Sequence, residues 1–359
     1  MVEISVIIPV YNGKKHIEKC LTSLKKQTFN KPWEIIIIND CSTDDSVEII
    51  KKYNSKNIKL YSLSRNLGQS AARNFGIKKA FGNYIFFQDV DDLISESSLD
   101  ILYEEAKKTD SDVICSDFKR IENFSNQREN KFNYDSDMRL NYNDITNSMT
   151  KELRDPTLGH LGLFGCNGRL IKRSMVISNN IKFEEKLRLI EDKVFGWRLL
   201  SFCKKISYIR KQLYSYFVYP TENTAITDSL NYGFDFKHIK LIINNIKECL
   251  IRRGMSKEDI EKNYQQGLIF FCIHALITIS RPMFLGKINF NKGKQIRRKI
   301  IDQILSDIEV SKAIKKYKPV PSESYWIPKA IFIKSRYLVE LACNLRAKET
   351  IKSRRLGKV

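Results

Sequence analysis

The chain has 359 residues, enough for one large domain or two ordinary ones. A hydrophobic fraction of 42% and a charged fraction of 29% exclude wholesale disorder, while a formal net charge of +21 calls for an anionic partner: nucleic acid, an acidic membrane surface or a phosphorylated substrate. The eight cysteines are scattered without a C-x-x-C pair, which excludes a zinc or dithiol framework and suits a reducing compartment.

The opening Met1-Val2-Glu3-Ile4-Ser5 lacks the basic and apolar regions of a secretory signal. The run Ile4-Ser5-Val6-Ile7-Ile8-Pro9-Val10-Tyr11 then reads as a buried parallel strand, closed by Asn12 and Gly13. Residues 15–27 carry Ile17, Cys20, Leu21 and Leu24 at helical spacing. A second buried strand, Trp33-Glu34-Ile35-Ile36-Ile37-Ile38, ends in Asn39-Asp40-Cys41-Ser42-Thr43-Asp44-Asp45-Ser46, where Ser42 or Thr43 is expected to cap the next helix. Ile58-Lys59-Leu60-Tyr61-Ser62-Leu63 is a third strand. Strands alternating with helices predict an α/β fold: a mostly parallel sheet with helices on both faces.

Arg65-Asn66-Leu67-Gly68 leads into a helix start that carries Arg73. A guanidinium there suits a phosphate or a pair of carboxylates, and equally an ordinary surface position. The fourth strand, Tyr84-Ile85-Phe86-Phe87, stops at Asp89, Asp91 and Asp92. Carboxylates this close repel one another, so a divalent cation such as Mg²⁺ or Mn²⁺ is one natural occupant; a solvated acidic turn is the other reading. A helix through Leu99, Leu102 and Ala106 and a short strand over 112–116 follow. Residues 122–155 are polar and read as an inserted irregular region. Glu191 and Asp192 open a helix bearing Phe195 and Leu199. The helix macrodipole alone would justify two acids there, and a carboxylate base aimed into a cleft is the functional alternative. Residues 206–209 and 213–217 look like edge strands, and 220–225 like a loop.

Beyond the loop the pattern turns helical over 241–250, 259–280 and 296–308. The longest apolar stretch, 268–279, is interrupted by His274 and is too short to span a bilayer. The last stretch combines Tyr325, Trp326, Ile331 and Phe332 with Lys329, Lys334, Arg336 and Arg346. That composition suits a helix lying on an anionic membrane surface, or one packed on the domain with a solvated basic face. The expected organisation is a catalytic domain over 1–230 and a basic, mainly helical region over 231–359. The expected location is cytoplasmic, peripheral at the inner face of the cell membrane.

Taken in order, four motifs resemble those of the family 2 glycosyltransferases, which adopt the GT-A fold. They are Ser5-Val6-Ile7-Ile8-Pro9-Val10-Tyr11-Asn12, the acidic-serine turn 39–46, Gly68 with Ala72-Arg73-Asn74-Phe75-Gly76, and the D-x-D of Asp89-Val90-Asp91. Glu191-Asp192 then looks like the acidic pair of the acceptor-side helix. The resemblance covers roughly residues 3 to 220 and implies an inverting, metal-dependent transferase of bacterial surface-glycan synthesis. In that scheme Pro9, Tyr11 and Asp40 line the nucleotide pocket of a UDP-sugar donor. Asp89 lies near the ribose, Arg73 fixes the donor side and Asp91 holds Mn²⁺ or Mg²⁺. Asp192 is the base beside Glu191, and the acceptor is a glycan or lipid-linked glycan. Two departures stand out: Asn39 replaces a common acid, and Cys41 replaces a common glycine, a residue that disfavours positive φ. A nucleotidyltransferase would need a glycine-rich basic opening loop, which the first strand lacks. A nucleic-acid-binding protein would need a recognisable module, and none is present.

Overall fold

The structure is a computed structural model that describes residues 1–53, 55–123, 126–130, 136–154, 165–219, 234–319 and 324–355. The chain divides into two compact units: Met1–Ser148 with Gly159–Glu222, and Met149–Leu158 with Asn223–Val359. The expected boundary at 230/231 and the expected loop at 220–225 lie outside the described residues.

The first unit is built on a ten-stranded mixed sheet. Its centre is β1 (Ile4–Val10), flanked in parallel by β2 (Trp33–Asn39) and β4 (Tyr84–Phe87), with β3 (Ile58–Ser62) parallel to β2 at the edge. Every residue of β1 is buried, which accounts for its unbroken apolar run: a strand covered on both faces has no solvent side on which to place polar residues. The two faces remain distinct at period two. Ile4, Val6, Ile8 and Val10 pack with Cys20, Leu21 and Leu24 of helix α1 (Ile17–Lys25), while Ile7 meets helix α3 (Gln69–Lys79) on the other side. Helix α2 (Ser46–Lys52) crosses between β2 and β3.

The approach of α3 to β1 depends on Gly76. A Cβ there would fall 2.4 Å from Ile7 Cγ2, a position stiffened by branching at Cβ. Gly76→Ala is therefore expected to destabilise the unit by about 1–2 kcal/mol despite alanine's better helix propensity. A lowered urea midpoint with an unchanged m-value would show it, and an unchanged or raised midpoint would refute it.

Past β4 the sheet becomes mixed. The short β5 (Leu93–Ile94) precedes helix α4 (Ser98–Thr109), and β6 spans Val113–Asn123. The expected irregular region over 122–155 is ordered where it is described: β6 ends in it, β7 (Asn126–Asn130) pairs antiparallel with β6, β8 (Met138–Leu140) pairs with the strand at 206–217, and helix α5 spans Tyr142–Arg154. Its polar sequence concealed it, because Asn-Gln-Arg-Glu-Asn carries no apolar alternation. Strand β9 (Leu170–Lys172) inserts antiparallel between β4 and β6, followed by helices α6 (Arg173–Ser178) and α7 (Glu191–Phe202). The two expected edge strands at 206–209 and 213–217 are one interior strand, β10 (Ile206–Phe217), parallel to β6 and antiparallel to β5. Register irregularities between Ile209 and Tyr214 let the exposed Arg210-Lys211-Gln212 pass without ending it.

The second unit is helical: α8 (Phe236–Arg252), α9 (Lys257–Phe284), α10 (Phe290–Ser306), α11 (Ile308–Ala313), α12 (Trp326–Phe332) and α13 (Arg336–Arg355). Side-chain caps set four of the starts, at Asp235, Ser256, Asn289 and Asp307. The apolar stretch at 268–279 belongs to a 28-residue helix, α9, which is long enough to cross a membrane and contains an 18-residue apolar window of mean hydropathy 1.6. With 61% of that apolar window buried and α8, α10, α11 and α13 packed around it, α9 has the character of a core helix. Arg297, fully buried, donates to Ser280 Oγ and Asn344 Oδ1, both at 2.8 Å, and so ties α10 to α9 and α13.

Candidate active site

Because β1, β2 and β4 run parallel, their carboxyl ends open on one rim of the sheet, the usual ligand edge of an α/β fold. Pro9 is buried in β1 opposite Ile38, and Tyr11, just past the strand, is 48% exposed. Asp40, one strand over, is buried and accepts N–H bonds from Leu67 and Gly68, each at 2.7 Å. It thereby pins the loop that enters α3. Burial pushes its carboxyl above the usual range, and those two N–H donors and the Arg188 charge offset part of the effect.

The acidic-serine turn folds differently from its expected capping role. Ser42 Oγ accepts from the Asn12 N–H at 3.0 Å, and the Thr43 N–H donates to Asn12 Oδ1 at 2.8 Å, so both residues bind the β1 loop. Asp44 accepts the N–H at the start of α2 instead. Asn39 uses both ends of its amide, accepting from the Ser42 N–H and donating to Ser62 Oγ. Cys41 adopts φ 63 after all, in the left-handed region where glycine is at ease.

The end of β4 delivers Asp89, Asp91 and Asp92, whose nearest carboxylate oxygens lie within 4.8 Å of one another. The three are held unequally. Asp92 is fully buried and accepts from the Tyr214 hydroxyl at 2.7 Å and the Phe217 N–H at 2.9 Å. Burial pushes its carboxyl well above the usual range, and the charges of Asp91 and Asp89 push it further. Asp89 accepts from Arg73 at 2.7 Å and from Asn167 Nδ2. Such an oxygen-only donor set fits a hard divalent cation, which would relieve the mutual repulsion.

Arg73 is not a surface residue. It is 1% exposed, stacks over the Phe183 ring at 5.3 Å, and donates to Asp89 Oδ1, to Gln69 Oε1 at 3.0 Å and to Glu191 Oε1 at 3.3 Å. It thus joins the end of β4 to the first turn of α7. An aromatic cluster fixes that helix: Phe183 and Phe195 stack 3.9 Å apart, and Phe87 meets both edge-on. The residue before α7, Ile190, has φ 66, a strained setting for a β-branched side chain and one that aims the first turn. Glu191 and Asp192 both lie in that turn, half-buried, with Glu191 bound to Arg73.

Burial, with Asp192 adjacent, raises the Glu191 carboxyl, and Arg73 offsets part of the rise. The folded state therefore holds the Glu191 proton more tightly than the unfolded chain. Its contribution is most favourable below the ordinary glutamate range and is lost as pH rises through the raised value. The melting temperature of the wild type relative to Glu191→Gln is expected to fall as pH rises through and above the ordinary glutamate range. A difference that is flat or rises with pH would contradict the shift.

Sequence reasoning saw Asp92 in the acidic run without giving it a task of its own, and it overlooked Asn167, Tyr214 and Gln69 at this site, and Arg188, which sits beside Gly68 and donates to Asn66. Asn167 had a signal, the Asn-Gly pair at 167–168 with Gly168 at φ 69. Tyr214 had none beyond its place in a strand.

A parallel half-sheet that ends in a carboxylate cluster, with an acidic helix start bridged to it and a helical unit after it, has the architecture of a glycosyltransferase of the GT-A class. The profile of glycosyl transferase family 2 matches residues 5–177 of this chain. A Borreliella burgdorferi protein described as cholesterol galactosyltransferase is 27% identical over 84% of this chain and 83% of its own length. A Bacillus spizizenii poly(ribitol-phosphate) beta-glucosyltransferase is 33% identical over 60% of this chain, which matches only 32% of that protein. The crystal structure of Staphylococcus aureus TarS 1–349 in complex with UDP-GlcNAc shares the fold, with a TM-score of 0.69 at 20% identity, covering 99% of this chain and 93% of that one.

Proposed function

We propose that this enzyme transfers a sugar from a nucleoside-diphosphate donor, UDP-linked, to a hydroxyl of a glycan or lipid-linked glycan in bacterial surface-polysaccharide synthesis, with inversion at the anomeric carbon. The observation that carries this reading is the buried Arg73 bridge, which holds Asp89 and the Glu191–Asp192 turn in one frame. The exposed Tyr11 ring would stack on the nucleotide base beside Pro9, with a free lone pair of Asp40 accepting from it. Asp89 would face the ribose. Asp91 would hold Mn²⁺ or Mg²⁺, which supplies neutralising charge to the departing diphosphate.

Asp192 takes the proton from the acceptor hydroxyl as that oxygen attacks the anomeric carbon from the face opposite the diphosphate. A new C–O bond forms, the C–O bond to the diphosphate breaks, and its electron pair leaves with the nucleotide. One displacement gives one inversion, so an α-linked donor yields a β-glycoside. The wording of two relatives supports this reading: one is named for a beta-linked product and one was crystallised with UDP-GlcNAc. The relatives' acceptors differ, a sterol and poly(ribitol phosphate), which supports a hydroxyl acceptor without fixing its carrier. The net charge of +21 agrees with a station at the anionic inner face of the membrane.

The test is nucleoside-diphosphate release from a panel of nucleotide sugars with Mn²⁺ or Mg²⁺, with and without chelator. Release from one UDP-sugar that the chelator and Asp91→Ala both abolish is expected. Failure to bind any nucleotide sugar in a calorimeter would overturn the reading.

A further inference from the structure

Among its described residues the second unit carries an exposed apolar surface. In α12 and α13 one set of positions is buried, with Ile327, Ile331, Val339 and Cys343 turned into the unit. A second apolar set faces out. Trp326 is 64% exposed, Phe332 58%, Ile333 63% and Tyr337 73%, and Leu341 and Leu345 continue the outer stripe at helical spacing. Scattered single apolar residues are ordinary on a surface, whereas a run of this kind along two packed helices calls for a cover.

The charge interleaved with it identifies the cover. Lys329 lies 4.0 Å from the centre of the Tyr325 ring and 5.6 Å from that of Trp326, and Lys334 and Arg336 fill the turn between Phe332 and Tyr337. Across 324–355 the sequence has eight Lys and Arg against two acids, Glu340 and Glu349. Glu340 is itself taken up by Arg298, and Glu349 by Arg346. Arg336 reaches Asp302 at 3.2 Å, in a surface pair that water screens and a headgroup phosphate can replace. Exposed aromatic rings beside ammonium groups match the lipid interface, where rings enter the headgroup layer and the cations meet anionic headgroups. A second copy of the chain would bring like charge to like.

We infer that the outer face of α12 and α13 is a docking surface for an anionic lipid bilayer, entered by Trp326, Phe332 and Ile333 and held by Lys329, Lys334 and Arg336. The inference is independent of the transferase reading, because binding to lipid needs no sugar donor.

The experiment is co-sedimentation of the full chain with vesicles of phosphatidylglycerol and phosphatidylethanolamine, against phosphatidylcholine alone, at two salt concentrations. Binding to the anionic vesicles is expected, weakened by salt and at least about tenfold stronger than to the neutral ones. Trp326→Ser with Phe332→Ser should lower the partition about tenfold or more, as should Lys329→Gln with Lys334→Gln. Phe81→Ser, which removes an equally exposed ring from the first unit, should change nothing. Equal binding to both vesicle types, or none, would overturn the inference. So would a dimer in sedimentation velocity that the Trp326→Ser, Phe332→Ser variant dissolves, since the face would then join two copies.

Discussion

Asp192→Asn is expected to lower turnover by about 10²–10⁴-fold while leaving nucleotide affinity unchanged, because the amide cannot take the acceptor's proton. The substitution preserves size and keeps a polar group at the first turn of α7. The neighbouring acid provides the internal control. Glu191 is committed to Arg73 at 3.3 Å, so it is poorly placed to give up that partner and act as base. Glu191→Gln should therefore be felt in stability and in substrate affinity more than in the chemical step. Steady-state rates with the preferred donor and acceptor, alongside nucleotide affinity by calorimetry, separate the two. If Glu191→Gln abolishes turnover and Asp192→Asn spares it, the roles are reversed.

The family resemblance named Asp192 as base beside Glu191, but the contact that sets the two acids apart, Glu191 with Arg73, could not be read from the sequence, where one macrodipole argument served both. The strands β1, β2 and β4 were legible because burial on both faces leaves an unbroken apolar run, and parallel order followed from the helices between them. Strand β9 was not legible, since three residues, Leu-Ile-Lys, carry no period, and its place between β4 and β6 is set wholly by distant pairing. The same limit applies to the site. Asp89 and Asp91 announced themselves as charge at a strand end. Asp92 was visible in the same run but its separate task was not, because Tyr214 and Phe217, the groups that bury and bind it, lie more than a hundred residues away. Cys41 shows propensity overridden: the turn needs a left-handed residue, and the bonds from Asn12, Ser42 and Thr43 hold the backbone there without glycine.

Arg73→Met is expected to destabilise the first unit by about 3–5 kcal/mol, since it leaves Asp89 and the buried Glu191 without their cation. For a unit of this size that is a fall in melting temperature on the order of 10 °C. Methionine keeps the aliphatic stem's bulk and gives up the guanidinium and its place over the Phe183 ring, so the loss reports on the charged head rather than on the stem. Arg73→Lys should recover little, because one ammonium cannot divide its donors among Asp89, Gln69 and Glu191 as the planar fork does. The decisive comparison is a double-mutant cycle. Adding Glu191→Gln to Arg73→Met removes one stranded charge, so the double variant should be more stable than the sum of the single losses predicts. The pH dependence sharpens the point. Without Arg73 the charge that offsets part of the effect of burial on Glu191 is gone, so the stability of Arg73→Met should decline more steeply than that of the wild type as pH rises through and above the ordinary glutamate range. Additive losses with parallel pH profiles would mean that Arg73 is held by packing alone, and the bridge between the donor side and the catalytic turn would lose its energetic basis.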